Sequence, residues 1–313
     1  MLNGKGRYQV TRHDVCPICK TDAHSSLYVK RNYDDSILND VDGFAFASRK
    51  IPELFHHDIM KCDDCQVLWS AHMNLNADQL KKLYGEADFD SKNEAMYASR
   101  TYYKYLMSIR GGQTSGIALD IGTGEGSFLE CLLDGGWKEV YGIEPSVAPI
   151  QAASERVRPH IKNAMFEAGI YPENSFDLVT CFQTMEHVYD PMGTLEEIYR
   201  ILKPGGTIYL VDHDYTSLVN RMLGTGSPIY DIEHMQIFSP HGIQKAVTGA
   251  GFSDVHVFSV WNTYPLNYWI KLFPMPVAGK KAIMKLLATI LVGKLPIPIN
   301  VGNMGMIACK PKG

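Results

Sequence analysis

The sequence predicts an α/β fold: a largely parallel sheet with helices on both faces, preceded by a smaller module. Three observations carry this. A glycine turn, Gly122-Thr123-Gly124-Glu125-Gly126, joins an apolar run to a helical pattern. Strand-like and helix-like segments alternate from Ile117 onward, which argues for a parallel sheet. Two C-x-x-C pairs, Cys16–Cys19 and Cys62–Cys65, stand ahead of this core with a long stretch between them.

Length and composition bound the answer. The chain has 313 residues, enough for one full α/β domain plus a smaller unit. Hydrophobic residues make up 45%, which supplies a sizeable core, and the net charge of −4 gives no basic excess for nucleic acid. The charge is uneven. From Val255 onward there are seven lysines and no Asp, Glu or Arg, so the rest of the chain carries −11. The N-terminal stretch Met1 to Val10 is polar, and no apolar run is long enough to cross a bilayer as a helix. Neither a signal peptide nor a membrane-spanning helix is therefore expected. Seven cysteines then suit a reducing, cytoplasmic setting.

Residues 1–75 form the expected module. Cys16, Cys19, Cys62 and Cys65 offer four thiolates, the donor set of a tetrahedral, closed, structural Zn²⁺ site. Buried free thiols and a disulfide pair are the alternatives. The stretch from Leu27 to Phe55 is expected to be irregular structure between the two knuckles. His13, His24, His56, His57 and His72 are expected at the surface or in the core, because four cysteines already complete a shell.

Residues 76–110 read as a helical connector, with Leu80, Leu83 and Tyr84 on one face, and Tyr102, Tyr103, Tyr105, Leu106 and Ile109 on a later helix. Core packing accounts for most of its tyrosines. Tyr97 is the one singled out for the cleft.

The core, 111–313, is organised around I-A-L-D-I-G-T-G-E-G-S-F, Ile117 to Phe128. A buried strand, a tight turn and a helix start fit this pattern. The glycines permit positive φ and close approach of a ligand, and the helix start offers unpaired N–H groups. The next strand, E-V-Y-G-I-E-P, ends at Glu144. An acid about 20 residues beyond the first glycine can accept hydrogen bonds from ribose hydroxyls. The spacing is G-x-G-x-G, with the third glycine one place earlier than in the dinucleotide fingerprint, and a turn with no ligand is the competing reading. Strands are expected near 117–121, 139–143, 160–163, 177–182, 206–211, 254–259 and 303–309. Helices are expected near 126–135, 146–156, 193–202 and 239–250.

With L-D-I-G-T-G-E-G-S-F, G-I-E-P-S, S-F-D-L-V-T-C-F-Q-T-M-E-H-V and R-I-L-K-P-G-G in this order, the chain resembles the class I S-adenosylmethionine-dependent methyltransferases over about residues 110–260. The resemblance implies a Rossmann-like seven-stranded sheet of order 3-2-1-4-5-7-6 with the last strand antiparallel. It implies that Gly122, Gly124 and Gly126 meet the methionyl part of the cofactor. Asp120 holds its amino group or orders the turn, and Glu144 binds the ribose diol. Gln183 stands by the methionyl end. Relatives often place an acid after the third strand for adenine; here the loop is N-A-M-F-E, so Met165 and Phe166 are expected to pack on the ring. The C-x-x-C…C-x-x-C module resembles that of a subgroup acting on sugars or in polysaccharide and natural-product pathways.

Methyl transfer to oxygen needs alignment, worth ~7–11 kcal/mol, and a base, worth roughly 10²–10⁴-fold. The candidates are His187 in Glu186-His187, His213 in Asp212-His213-Asp214, and His234 in Glu233-His234 before a helix capped by Ser239-Pro240. A divalent metal on Glu186, Asp212 and Glu233 is a minor alternative. Residues 261–298 read as an insertion before the last strand. Within it, 280–293 is an amphipathic helix that acts as a lid or dimer element, or lies in a membrane interface. The expected activity is O-methylation of a sugar, nucleotide-sugar or lipid-linked glycan intermediate, with no nucleic-acid partner. An RNA methyltransferase and a non-catalytic cofactor-binding partner protein are the alternatives. Balanced charge over positions 1–110 disfavours the former.

Overall fold

The computed structural model describes residues 15–21, 24–33, 55–71, 92–112, 114–272 and 292–312, with isolated positions 283, 284, 287 and 289. The core is a seven-stranded sheet. Its strands are β4 (Ile117–Ile121), β5 (Glu139–Glu144), β6 (Ile161–Asn163), β7 (Phe176–Phe182), β8 (Leu202–His213), β10 (Ser253–Pro265) and β11 (Pro296–Cys309). Their spatial order is β10-β11-β8-β7-β4-β5-β6, and β11 runs antiparallel to both its neighbours. Numbered within the core, this is the expected 3-2-1-4-5-7-6 sheet.

The central strands are buried on both faces, and their residues reflect it. Ala118, Leu119, Leu178, Val179, Cys181, Ile208 and Leu210 are all fully inaccessible, the continuous apolar pattern of a covered parallel sheet. The covering helices are α1 (Lys92–Ile109), α2 (Ser127–Asp134), α3 (Val147–Ala152), α4 (Pro191–Ile201), α5 (Leu218–Leu223), α6 (Pro240–Gly249) and α7 (Leu266–Leu272). Phe182, at the end of β7, fixes three neighbouring elements. Its ring lies 4.7 Å from Phe128 of α2, 4.8 Å from Tyr102 of α1 and 5.0 Å from Tyr209 of β8. Rotating aromatic edges onto faces in this way adds to the area each ring buries.

Several element boundaries differ from expectation. β10 and β11 form a longer hairpin than the sequence suggested. Its pairing continues through Asn262↔Ile299, Thr263↔Pro298 and Tyr264↔Ile297 to Pro265↔Pro296. The proline pair can end such a ladder because proline lacks the N–H that would continue it. The expected insertion at 261–298 therefore begins at α7, after Pro265. Most of the expected 280–293 helix lies outside the described residues, as do Leu80, Leu83, Tyr84, His13, His72 and most of the stretch between the knuckles. The 146–156 helix stops at Ala152, where Ala153 turns extended at ψ 147°.

A second sheet has the order β1-β2-β3-β9, all antiparallel, where β1 is Ser25–Val29, β2 Ile59–Cys62, β3 Leu68–Ser70 and β9 Gln236–Ile237. Three strands come from the N-terminal module and the fourth from the loop before α6. The knuckle at Cys62–Cys65 is pressed on α6 as well. A Cβ added at Gly242 would lie 2.6 Å from Val67 Cγ2 and 3.0 Å from the Cys65 carbonyl. Side-chain size at one helix position thus sets how closely the module seats.

Candidate functional site

The site forms beyond the carboxyl ends of β4, β5, β7 and β8, where open α/β sheets carry their ligands. At the β4 turn, Gly122, Gly124 and Gly126 take φ of 70°, 57° and 80°, which L-residues with a Cβ rarely adopt. Their surroundings differ. A Cβ on Gly122 would strike Thr184 Oγ1, and one on Gly126 would meet Val157 Cγ2 at 2.8 Å. Nothing lies within 4 Å of the same point on Gly124. Two of the glycines therefore serve close packing, and the middle one faces open space.

Glu144, buried at the end of β5, closes this turn. Its Oε2 accepts the Gly124 N–H at 2.9 Å and its Oε1 accepts the Ser146 N–H at 2.9 Å. Burial raises its pKa, and the two N–H groups oppose the rise. Asp120 is also buried; Thr180 Oγ1 donates to it at 2.5 Å. Burial pushes its pKa up to about 7. That inward position fits ordering of the turn. Glu125, 4% exposed and bonded by Ser127 Oγ, is a further buried acid of the turn that sequence reading passed over. Its place inside the glycine turn was the available signal.

After β6, Asn163 Nδ2 donates to the carbonyls of Glu144 and Pro145 at 3.0 and 2.9 Å, tying the third rim loop to the second. Met165 is half-buried on that loop, whereas Phe166 packs against the sheet core. Gln183, the first residue after β7, takes φ 48°, with its N–H on the Val211 carbonyl at 2.7 Å. Tyr97 joins an aromatic group with Tyr264 and Tyr268, at 5.7 and 5.4 Å, beside the β10 end.

The three histidines converge. His187 lies in a 3-10 turn, Met185–His187; His213 ends β8; His234 sits in the loop before β9. The His187 and His234 rings are 4.8 Å apart, and those of His213 and His234 are 5.5 Å apart. Each presents Nδ1 to an oxygen: Glu233 O at 3.4 Å for His187, Asn303 Oδ1 at 3.0 Å for His213, and Ile229 O at 2.7 Å for His234. An oxygen acceptor fixes the proton on Nδ1 and leaves the lone pair on Nε2. Burial, then the neighbouring His234, pull the His187 pKa down to about 3, and burial also lowers that of His213.

Beneath them lies Glu186, fully buried, whose Oε1 accepts the His213 N–H at 2.8 Å. Burial alone would raise its pKa; His213, His234 and His187, with that N–H, outweigh burial and hold it below the ordinary carboxylate range. Asp212 beside it goes the other way. Burial and the Glu186 charge keep its pKa well raised, so Asp212 carries the proton of the pair. Asn303 comes from β11, 90 residues beyond His213, and no local pattern marked it.

The four cysteines also meet. Their sulfurs lie within 4.8 Å of one another, with Cys16–Cys65 at 3.4 Å and Cys19–Cys62 at 3.9 Å. Tetrahedral zinc–thiolate bonds of ~2.3 Å place sulfurs ~3.8 Å apart, so the cluster fits such an ion. No two of the four are joined by a disulfide in the structure. A shallow pocket lies at the junction of this module and the rim; His56, His57, Ser70, Asp231 and His234 are among its lining residues.

A methyltransferase domain profile matches residues 96–257. Curated relatives include an uncharacterized methyltransferase of Schizosaccharomyces pombe, 29% identical over 46% of this chain and 56% of its own. A ubiquinone biosynthesis O-methyltransferase of Histophilus somni is 29% identical over 39% and 52%. This chain spans about half the length of these relatives. Among solved structures, the Haemonchus contortus phosphoethanolamine N-methyltransferase 2 in complex with S-adenosyl-L-methionine has a TM-score of 0.46 at 16% identity, covering 78% of this chain and 63% of that one. With the profile covering just over half of its residues and the sheet order that the family requires, the chain belongs to the methyltransferase domain family, on the class I fold.

Proposed function

We propose that the protein transfers a methyl group from S-adenosylmethionine to an oxygen of a small-molecule acceptor. The observation that carries this reading is the juxtaposition of two half-sites on one rim. One is the open Gly124 turn closed by Glu144; the other is the histidine group over buried Glu186.

The residues present fit the cofactor. Gly124 leaves a cradle that a Cβ would narrow, and Glu144 keeps acceptor lone pairs beside it for a ribose diol. Met165 offers an apolar side chain for the adenine, and Gln183 faces the methionyl end. When bound, S-adenosylmethionine supplies a sulfonium-activated methyl group. His213 is the proposed base: Nε2 takes the acceptor hydroxyl proton while Asn303 holds the ring's tautomer. The buried Glu186 charge steadies the imidazolium that forms. His187 and His234 orient the acceptor. Cys16, Cys19, Cys62 and Cys65 hold a structural Zn²⁺ in this reading, and the module closes one side of the acceptor cleft.

The subgroup resemblance favours a sugar, nucleotide-sugar or lipid-linked glycan. The O-methyltransferase names of the relatives favour oxygen as the atom methylated. Calorimetry of S-adenosylhomocysteine on wild type and Glu144→Ala tests the first half-site. Binding that weakens in the variant supports the reading, and no binding by zinc-loaded, folded wild type overturns it. Turnover on a panel of hydroxylated acceptors, sugars first, tests the second.

A further inference from the structure

The cysteine module brings polar side chains of its own to the rim. The shallow pocket at the junction is lined by His56 and Ser70 from the module, and by Asp231, His234 and Gln236 from β9 and the loop before it. Three sets of bonds pin its walls. The Ser70 N–H donates to the Met235 carbonyl at 2.9 Å, and the Met235 N–H donates to the Glu186 carbonyl at 2.8 Å. Gln236 Nε2 donates to the Met185 and Val188 carbonyls at 2.5 and 2.9 Å. Ser70 is thereby fixed relative to the turn that carries Glu186 and His187.

The Ser70 side chain has no role within the chain. The residue is 8% exposed, and its Oγ has no hydrogen-bond partner among the described residues. A buried hydroxyl left unpaired costs about 1–3 kcal/mol, which alanine in the same place would avoid. His56, 2% exposed, lines the same pocket. Its N–H donates to Asn32 Oδ1 at 3.0 Å, and its Nδ1 stands 2.9 Å from the His57 carbonyl. A carbonyl only accepts, so the ring carries its proton on Nδ1 and its lone pair on Nε2. His234 is held in the same tautomer by the Ile229 carbonyl at 2.7 Å. Two other lining groups are already engaged: Tyr33 Oη meets His57 Nδ1 at 2.5 Å, and Asp231 Oδ1 accepts the Ile232 N–H at 2.6 Å.

This lining selects a neutral hydroxyl. A hydroxyl accepts from Ser70 Oγ–H and donates to an imidazole Nε2. A phosphate or carboxylate would meet Asp231 and no lysine or arginine among the described lining residues, and a charge buried without a partner is costly. The space admits about one water-sized group, so one hydroxyl enters while the rest of its molecule stays outside.

We propose that Ser70, with His56 and His234, binds one hydroxyl of a polyol acceptor, and that Ser70 is a specificity-determining residue supplied by the cysteine module. The part played in methyl transfer rests on the function proposed above; capture of a neutral hydroxyl does not. His234 links the two places, because it lines the pocket and its ring lies 5.5 Å from that of His213. An acceptor anchored in the pocket through one hydroxyl presents another to His213, and a molecule with a single hydroxyl cannot fill both positions.

The probe is methyl α-D-glucopyranoside, titrated into the full chain with zinc on its cysteines and read by NMR at the His56 and His234 imidazoles. The expected result is a saturable shift of both rings that inorganic phosphate does not reproduce. Ser70→Ala is expected to weaken the glucoside roughly 3–10-fold. Because Ser70 Oγ makes no bond within the chain, this variant should melt no lower than wild type. No saturable shift in the millimolar range overturns the proposal. Undiminished binding by Ser70→Ala also overturns it, since the hydroxyl then holds only a structural water, and so does an equal shift with phosphate. S-adenosylhomocysteine calorimetry on the same samples separates the two readings. Glucoside binding without S-adenosylhomocysteine binding leaves the hydroxyl pocket standing and removes the methyl-transfer function; the reverse removes only the pocket.

Discussion

Glu144 and Gly124 are joined by a 2.9 Å hydrogen bond, the Gly124 N–H donating to Glu144 Oε2, while the other carboxylate oxygen accepts from Ser146. One buried acid therefore holds together the turns after β4 and β5, and its remaining lone pairs face the proposed ribose position. Replacing it by alanine removes both acceptors. Glu144→Ala is expected to weaken S-adenosylhomocysteine binding and to cost about 1–3 kcal/mol of stability for the stranded N–H groups. Calorimetry and urea unfolding read the two effects separately. Unchanged affinity would remove Glu144 from the cofactor site.

His213 and Asn303 are expected to separate in kinetics. His213→Gln removes the proposed base, so kcat should fall roughly 10²–10⁴-fold while S-adenosylhomocysteine affinity stays the same. Asn303→Ala leaves the ring but frees its tautomer, so a smaller loss with an altered pH–rate profile is expected. A His213→Gln enzyme with normal kcat would move the base to another residue.

Metal on the four cysteines should order the rim through the β3–β9 pairing, Leu68↔Ile237 and Trp69↔Gln236. Chelation, or Cys65→Ser, is expected to lower the melting temperature and to speed hydrogen exchange at Gln236 and Ile237. Amides of the β4–β5 pair should keep their protection. Equal loss at both places would show that the metal supports the whole fold and not this junction.

Asp120 gives a pH dependence whose sign can be worked out. Burial raises its pKa to about 7, against ~3.9 in an unfolded chain. Between these values the folded state binds more proton than the unfolded one. The contribution is therefore fully present below about pH 4 and is lost as pH rises through 7, by at most ~1.4 kcal/mol per unit. Asp120→Asn lacks this slope. Urea midpoints of wild type and variant, compared at pH 5 and pH 7.5, should diverge, with wild type losing ground at the higher pH.

Lys310, nearly buried after β11, donates to Asn174 Oδ1 and to the Tyr199 and Leu202 carbonyls at 2.8–2.9 Å. It caps the carbonyl end of α4 and locks the last strand to it. Lys310→Met is expected to cost about 2–3 kcal/mol in urea unfolding with cofactor binding intact. A cost near zero would mean that water replaces the ammonium.

Much of the fold was legible because it is written in short range. The glycine turn, Glu144 and the apolar strands are local patterns, and a strand covered on both faces must be apolar wherever it lies. The Ser239–Pro240 start of α6 was equally readable, and Ser239 Oγ accepts the Gly242 N–H at 3.0 Å. The four cysteines were legible as two pairs. The partners of Tyr97 were not: its ring meets Tyr264 and Tyr268 on a hairpin whose length no local signal set.

Local pattern thus dictated the strand–turn–helix at the heart of the core, the alternation that makes a parallel sheet, and the donor types available to a ligand. Which of those donors meet was left to the packing of the whole chain. His187 comes from a 3-10 turn, His213 from the end of β8, His234 from the loop before β9 and Asn303 from the final strand, and β9 leaves the core to complete the module's sheet. These are contacts across tens of residues, fixed by the order of strands and the burial of Glu186 beneath the rings. No periodicity of two or 3.6 residues encodes that distance, because such a pattern reports only which face of its own element a side chain occupies.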